Sequence, residues 1–319
     1  MKNIPKKNKL IKLIACVFSL LVLFSCKDKT PKTNPNVGSN PNPLTLADFY
    51  ATYAEKAQSF TVSTASATSI VGTKGTTINI PALAFKTSGG TQILGQVIIK
   101  LTELYTKKDL VLNKKQTTTV DDILQTKGMV NIKVNQGEEP LYLDVAKTVT
   151  INYPATVTPG NDMFAMYGNT DLISGKFTWL PDTTGTTRYA GPVINPVMSY
   201  SLVSDSLNWV QIGKFNYGAG LKTSFTITVH GNYNWTNTDV FIYFPSNRSI
   251  AYLDKPEQQS YTATYKIASG TVCNIIAISR INSNFYMVNK QVTITPSFVM
   301  DLDLTQNTES GVITMLDNL

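Results

Sequence analysis

The chain has 319 residues and a mass of 35.0 kDa, with 42% hydrophobic and only 15% charged residues, against about 25% charged in an average soluble domain. Its 15 Tyr, 13 Phe and 3 Trp can fill a sizeable core, which excludes wholesale disorder, and its length allows about two domains of roughly 150 residues. The formal charge of +7 is uneven: Lys2, Lys6, Lys7, Lys9 and Lys12 precede Cys26 with no acid among them, which leaves 23 of the 28 bases against 21 acids in the rest. A near-neutral body carries no electrostatic argument for a polyanion, so nucleic acid is not an expected partner.

The basic stretch ends at Lys12 and an apolar run follows over residues 13–24. That run is too short for a membrane span of about 20 residues and has the length of a secretory h-region. It closes on Leu23-Phe24-Ser25-Cys26, which resembles the lipobox of bacterial lipoproteins, where a small residue precedes a Cys that becomes the acylated mature N-terminus. An ordinary signal peptide with an incidental Cys is the alternative. The resemblance implies a lipoprotein signal peptide over 1–25, lipidation at Cys26, a membrane as partner through that lipid, and an outer-membrane or cell-surface location. Several acyl chains on one Cys anchor stably where one chain is marginal. Lys27-Asp28-Lys29 is similar to the short surface-export signal of Bacteroidetes-type lipoproteins, or opens a solvated linker. Up to Pro43, Val37 stands alone among Pro, Asn, Thr, Gly, Ser and Lys, so residues 26–45 are expected to form a disordered tether.

Leu46, Phe49, Tyr50, Tyr53 and Ala57 fall at helical spacing behind Thr45, a residue type that caps helix starts, and predict one short helix over 46–58. Strand patterns follow at 76–80, 96–101, 129–134 and 148–153, then at 224–230, 239–244, 261–267 and 291–295. Each combines β-branched residues and partial alternation with Gly, Asn or Pro at its borders. Short strands with frequent turns predict an all-β protein of two antiparallel β-sandwich domains, with one face of each sheet solvated. Helix should stay under about one-fifth, against the usual 30–35%. Breaks in strand density at 154–159 and 181–196 divide the chain into a first sandwich over 46–159, a connecting β region over 160–215 with Trp179 and Trp209, and a second sandwich over 216–319. Residues 310–319 are expected to close the chain as a helical turn.

Gly72-Thr73-Lys74-Gly75-Thr76-Thr77-Ile78-Asn79-Ile80-Pro81, followed by Gly95-Gln96-Val97-Ile98-Ile99 and Glu103, resembles the ZU-five-type β-sandwich module. Thr126-Lys127-Gly128-Met129 and the Trp209-centred segment 206–215 are similar to stretches in uncharacterised Bacteroidetes-type surface lipoproteins that carry this module. The resemblance covers roughly residues 46–215 and rests on scaffold motifs, so it implies a fold more than an activity. Some relatives of the module cut themselves beside a His. Here the single His, His230, precedes Gly231, so self-cleavage is not carried over. Residues 216–319 are similar in style to transthyretin-like and immunoglobulin-like accessory domains.

Enzymatic constellations fail by inventory. A nucleophile–histidine site needs a His beside a Ser or Cys, and His230 sits at a strand end. Zinc prefers three or four Cys, His or carboxylate ligands, and Cys273 lies in an apolar run where it reads as a small hydrophobe. No metal, cofactor or catalytic residue is therefore expected. The carboxylate pairs Asp121-Asp122, Glu138-Glu139 and Asp301-x-Asp303 leave a carboxylate-dependent hydrolase as the least favoured alternative. Asp301 and Asp303 share one strand face and either meet a calcium ion or line a solvated surface. The segment 231–239 places Tyr233, Asn234 and Trp235 together. Aromatic faces beside amides suit a sugar ring; the plainer alternative is a turn whose Trp235 caps the core. The residues point to a non-catalytic, lipid-anchored envelope protein that binds or scaffolds, with a glycan or an envelope protein as partner.

Overall fold

The computed structural model describes residues 45–154, 163–173, 175–182, 189–194, 198–215, 221–263 and 265–319, with 189–194 and 198 described through their backbone alone. The expected signal peptide, Cys26 and the tether up to residue 44 lie outside the described residues, as does the expected boundary at 159. Strands make up 53% and helices 9% of what is described, an all-β fold built from sandwiched sheets.

The first half contains α1 (Leu46–Tyr53), β1 (Gln58–Ser63), β2 (Thr68–Val71), β3 (Thr77–Ile80), β4 (Phe85–Lys86), β5 (Gln96–Leu104), α2 (Lys107–Leu112), β6 (Leu124–Gln136), β7 (Glu139–Leu143), β8 (Val149–Pro154), β9 (Phe164–Thr170), β10 (Phe177–Pro181), β11 (Tyr189–Ile194), β12 (Met198–Ser204) and β13 (Asn208–Phe215). One sheet runs β1-β5-β6-β13-β9-β10, with β7 and β4 off its side, and a second runs β11-β12-β8-β3-β2. Their inner faces meet over Ile78, Ile99, Ile132, Ile151, Leu202 and Ile212, all essentially fully buried. The strands read from sequence as a connecting region, β9 to β13, are members of these two sheets. The Trp209 segment is β13, paired with β6 on one side and β9 on the other.

The second half adds β14 (Lys222–Thr223), β15 (Phe225–Val229), β16 (Thr238–Phe244), β17 (Ser249–Tyr252), β18 (Ser260–Thr262), β19 (Ile267–Ala268), β20 (Val272–Ile281), β21 (Asn284–Thr293), β22 (Phe298–Leu302), β23 (Thr305–Asn307) and α3 (Glu309–Asp317). The sheet β17-β16-β20-β21-β23 packs on β18-β15-β22 and the short pair β14-β19 over Phe225, Ile227, Ile242, Ile275 and Tyr261. Among the described ladders all are antiparallel except β15–β22, which is parallel from Phe225↔Phe298 to Val229↔Leu302. The chain reaches β22 by crossing from the opposite sheet, so no hairpin dictates its direction. The expected single strand over 261–267 is broken into β18 and β19. Tyr265, just before β19, is buried; β18 belongs to the sheet with β15 and β22, and β19 pairs with β14.

A third core lies between the sandwiches, within one compact unit that spans residues 42–319. Phe49 and Tyr50 of α1, Leu110 and Val111 of α2, and Val312 and Leu316 of α3 meet Leu124 and Trp179 of the first half and Phe241, Ile276 and Ile278 of the second. This covers the outer face of β16, so every residue of that strand is buried, in place of the solvated face that alternation predicts. The α1 start obeys its sequence signal, since Thr45 and Asp48 form a capping box, but the helix expected to reach residue 58 ends at Tyr53, and Gln58 already opens β1. The same core encloses Asp239, whose carboxylate is held by Lys114 at 3.0 Å and Lys255 at 2.7 Å. Burial pushes the Asp239 carboxyl up, but Lys255 and Lys114 outweigh it and leave it below its ordinary value.

Candidate functional site

The motifs that carry the sequence resemblance build backbone. The turn between β2 and β3 wraps around Glu103, which is completely buried on β5. Its Oε2 accepts from Lys74 N at 3.0 Å and Gln58 Nε2 at 2.8 Å, and its Oε1 from Thr76 N at 3.0 Å. Gly72 is required there, because a Cβ would lie 2.3 Å from the Glu103 carboxylate. On β6, Thr126 pairs with Gly213 and Met129 with Gln211. Lys127 and Gly128 thus oppose the single residue Ile212, which makes a β-bulge. Gly128 has φ +135° and the Tyr105 ring fills the space of its missing side chain, so no other residue fits.

The loop between β15 and β16 carries the residues singled out for ligand contact, and their roles differ. Gln259 Nε2 donates to Gly231 O at 2.8 Å and Trp235 N donates to Gln258 O at 2.9 Å, which ties the loop to the chain before β18. Asn234 Oδ1 accepts from Thr236 N at 2.9 Å and Thr236 Oγ1 at 2.6 Å. It is an Asx turn, so its oxygen is committed to the loop. Asn237 Oδ1 accepts from Asn234 N, and its amide donates to Asn232 O. Tyr233 is half-buried, with its ring 5.5 Å from that of Tyr286 in an edge contact; burial pushes its phenol up. Trp235 is 43% exposed and belongs to none of the three cores. Tyr233 buttresses the loop from inside, Asn234 shapes it, and Trp235 with the exposed Asn232 forms its outer surface.

The remaining polar candidates disperse. His230 Nε2 lies 3.2 Å from Asp301 Oδ1, and both side chains are more than half exposed. Asp303 shares the exposed face of Asp301 as expected, with one carboxylate of the pair engaged by the imidazole. Asp122 Oδ1 accepts from Ile123 N at 2.8 Å and faces Lys222 at 3.8 Å, while Glu138 and Glu139 sit exposed at the β6–β7 turn. Among the described residues no three His, Cys, Asp or Glu side chains gather as a metal site. Cys273 is buried in the second sandwich, where desolvation pushes its thiol up to about 12; a thiol in that state is a poor nucleophile. No helix among the described residues is long and apolar enough to cross a membrane.

Sequence reasoning missed α2. Its Thr106-Lys107-Lys108-Asp109 start is a capping box in which Thr106 Oγ1 accepts from Asp109 N and Asp109 accepts from Thr106 N, so the signal is local and was available. Compared with protein-family models and with curated proteins, the chain matches none.

Proposed function

We propose that this chain is a non-catalytic lipoprotein of the outer membrane or cell surface, anchored by lipid on Cys26, whose β-sandwich body acts as a binding or scaffold module. The anchor reading rests on the basic, apolar and Ser25-Cys26 order of the N-terminus, and the ZU-five-like reading of the first sandwich on the motifs around Gly72 and Glu103. The observation that carries the binding role is Trp235: an indole 43% exposed on a loop whose polar groups are fixed from within. A large exposed aromatic on a pre-formed loop presents apolar area with little ordering cost on binding. Its exposure beside Asn232 favours a glycan as the ligand of this loop, stacked by its C–H face on the indole. A protein of the envelope is the other class of partner.

Two measurements test the proposal. Mass spectrometry of the envelope-associated protein should find an acylated N-terminal Cys26, and a Cys26→Ala protein should leave the membrane fraction; a retained signal segment or a free Cys26 thiol after cleavage elsewhere refutes the anchor. Affinity electrophoresis in gels containing soluble polysaccharides should retard the wild-type protein and leave Trp235→Ala unretarded, and equal migration of the two refutes the role of the loop.

A further inference from the structure

A second recess, unrelated to the Trp235 loop, opens where the first sandwich meets the β16–β17 turn. Its volume is about 330 Å³, at the small end of the roughly 300–1,000 Å³ of ligand pockets. Tyr105 and Pro154 give it apolar walls backed by the buried Leu104 and Leu110, and Lys74, Lys107, Lys127 and Arg248 all line it, with no Asp or Glu among the lining residues. Four cations around one small recess stand out in a body of nearly balanced charge.

The four are not equivalent. Lys74 Nζ is 2.9 Å from both Glu55 and Asp109, and Lys107 Nζ donates to the main-chain oxygen of Leu319. The Lys127 ammonium and the Arg248 guanidinium have no hydrogen-bond or ion-pair partner among the described residues. Two cations without a counter-charge of their own therefore line the same recess from different elements. Each also sits on an irregular piece of backbone. Lys127 occupies the β-bulge with Gly128, and bulges commonly re-aim a side chain beside a functional site. Arg248 has φ +55°, a left-handed conformation uncommon for a side chain other than Asn, Asp or Gly. A recess lined by two cations that lack counter-charges of their own has a positive potential that favours an anion.

We infer that this recess binds a small organic oxyanion, in which a carboxylate, phosphate or sulfate group lies between Lys127 and Arg248 and a ring or short apolar body packs on Tyr105 and Pro154. Arg248 provides the planar fork that takes two oxygens of such a group, and Lys127 the point charge. The site stands on other residues than the Trp235 loop and holds whether or not that loop binds a glycan.

The test is isothermal titration of the mature protein with glucuronate, glucose 6-phosphate and glucose 6-sulfate, with glucose as the neutral control. The expected result is one-to-one binding of at least one acidic probe, weakened by added salt and absent for glucose. Which probe binds identifies the acid group. Lys127→Gln and Arg248→Asn should each lower the affinity about tenfold or more, as the loss of a charge-assisted hydrogen bond implies. Asn tolerates the left-handed backbone of position 248, so unchanged circular dichroism and melting should accompany the loss. Trp235→Ala should bind the acidic probe as the wild type does. Failure of all three acidic probes to bind, equal binding of glucose, or undiminished affinity in the Lys127→Gln, Arg248→Asn double variant overturns the inference.

Discussion

Two turns of this molecule solve the same problem with opposite results. The β2–β3 turn gathers main-chain donors around the Glu103 carboxylate, which is completely buried. The β15–β16 loop also satisfies itself, through Asn234, Asn237 and Gln259, yet leaves Trp235 outside. Buried polar groups must be paired, so internal hydrogen bonds alone mark neither turn as functional. The difference is the large aromatic that the second loop displays without needing it for its own packing. The first turn is organised around its own buried carboxylate; the second displays an indole, the feature on which the proposed glycan contact rests.

The largest expected effect is at Glu103. Glu103→Ala leaves the buried Thr76 N–H and the Lys74 N–H without an acceptor, and should lower stability by about 3 kcal/mol, read as a drop in the urea midpoint. Glu103→Gln should cost less, since the amide keeps one accepting oxygen.

Next comes the ion cluster of the shared core, which sharpens the contrast between a buried and a displayed polar site. Asp239→Asn should cost about 2 kcal/mol, below the 3–5 kcal/mol of a fully buried broken pair because Lys114 and Lys255 reach solvent. Asp239 has a carboxyl held below its ordinary value, so its contribution is complete above the unfolded-state value of about 4 and is lost as pH falls through the lower folded-state value. Urea titrations of wild type and Asp239→Asn at stepped pH should therefore converge below about pH 4. A constant gap across that range would contradict the assignment.

Asn234→Ala removes the Asx turn and should cost about 1 kcal/mol. It should also weaken polysaccharide retardation, because the indole is then presented from a loose loop.

Legibility in the sequence followed the range of the interactions. The helix behind Thr45 and the strands 76–80, 96–101 and 148–153 were readable, because a cap and an alternating face are encoded within a few residues. The double-sided burial of β16 was not, since the outer face of Phe241 and Tyr243 is covered by α1, α2 and α3 from distant parts of the chain. Nor was the inward role of Asn234, because Asn suits a turn and a sugar equally well by composition. Tyr233 and Trp235 are two residues apart and look alike as candidates. Tyr286, more than fifty positions away, separates them by taking the Tyr233 ring.

The smallest expected change in stability belongs to the residue with the largest expected change in binding. Trp235→Ala should melt within about 0.5 kcal/mol of wild type, as surface substitutions do. The direct test is therefore to measure both properties of Trp235→Ala and wild type side by side, urea stability and retardation by a panel of soluble polysaccharides. The expected result is unchanged stability with the wild-type retardation abolished in Trp235→Ala. Retardation that survives the substitution, or a panel that retards neither protein, contradicts the reading of this loop as a glycan-contact surface.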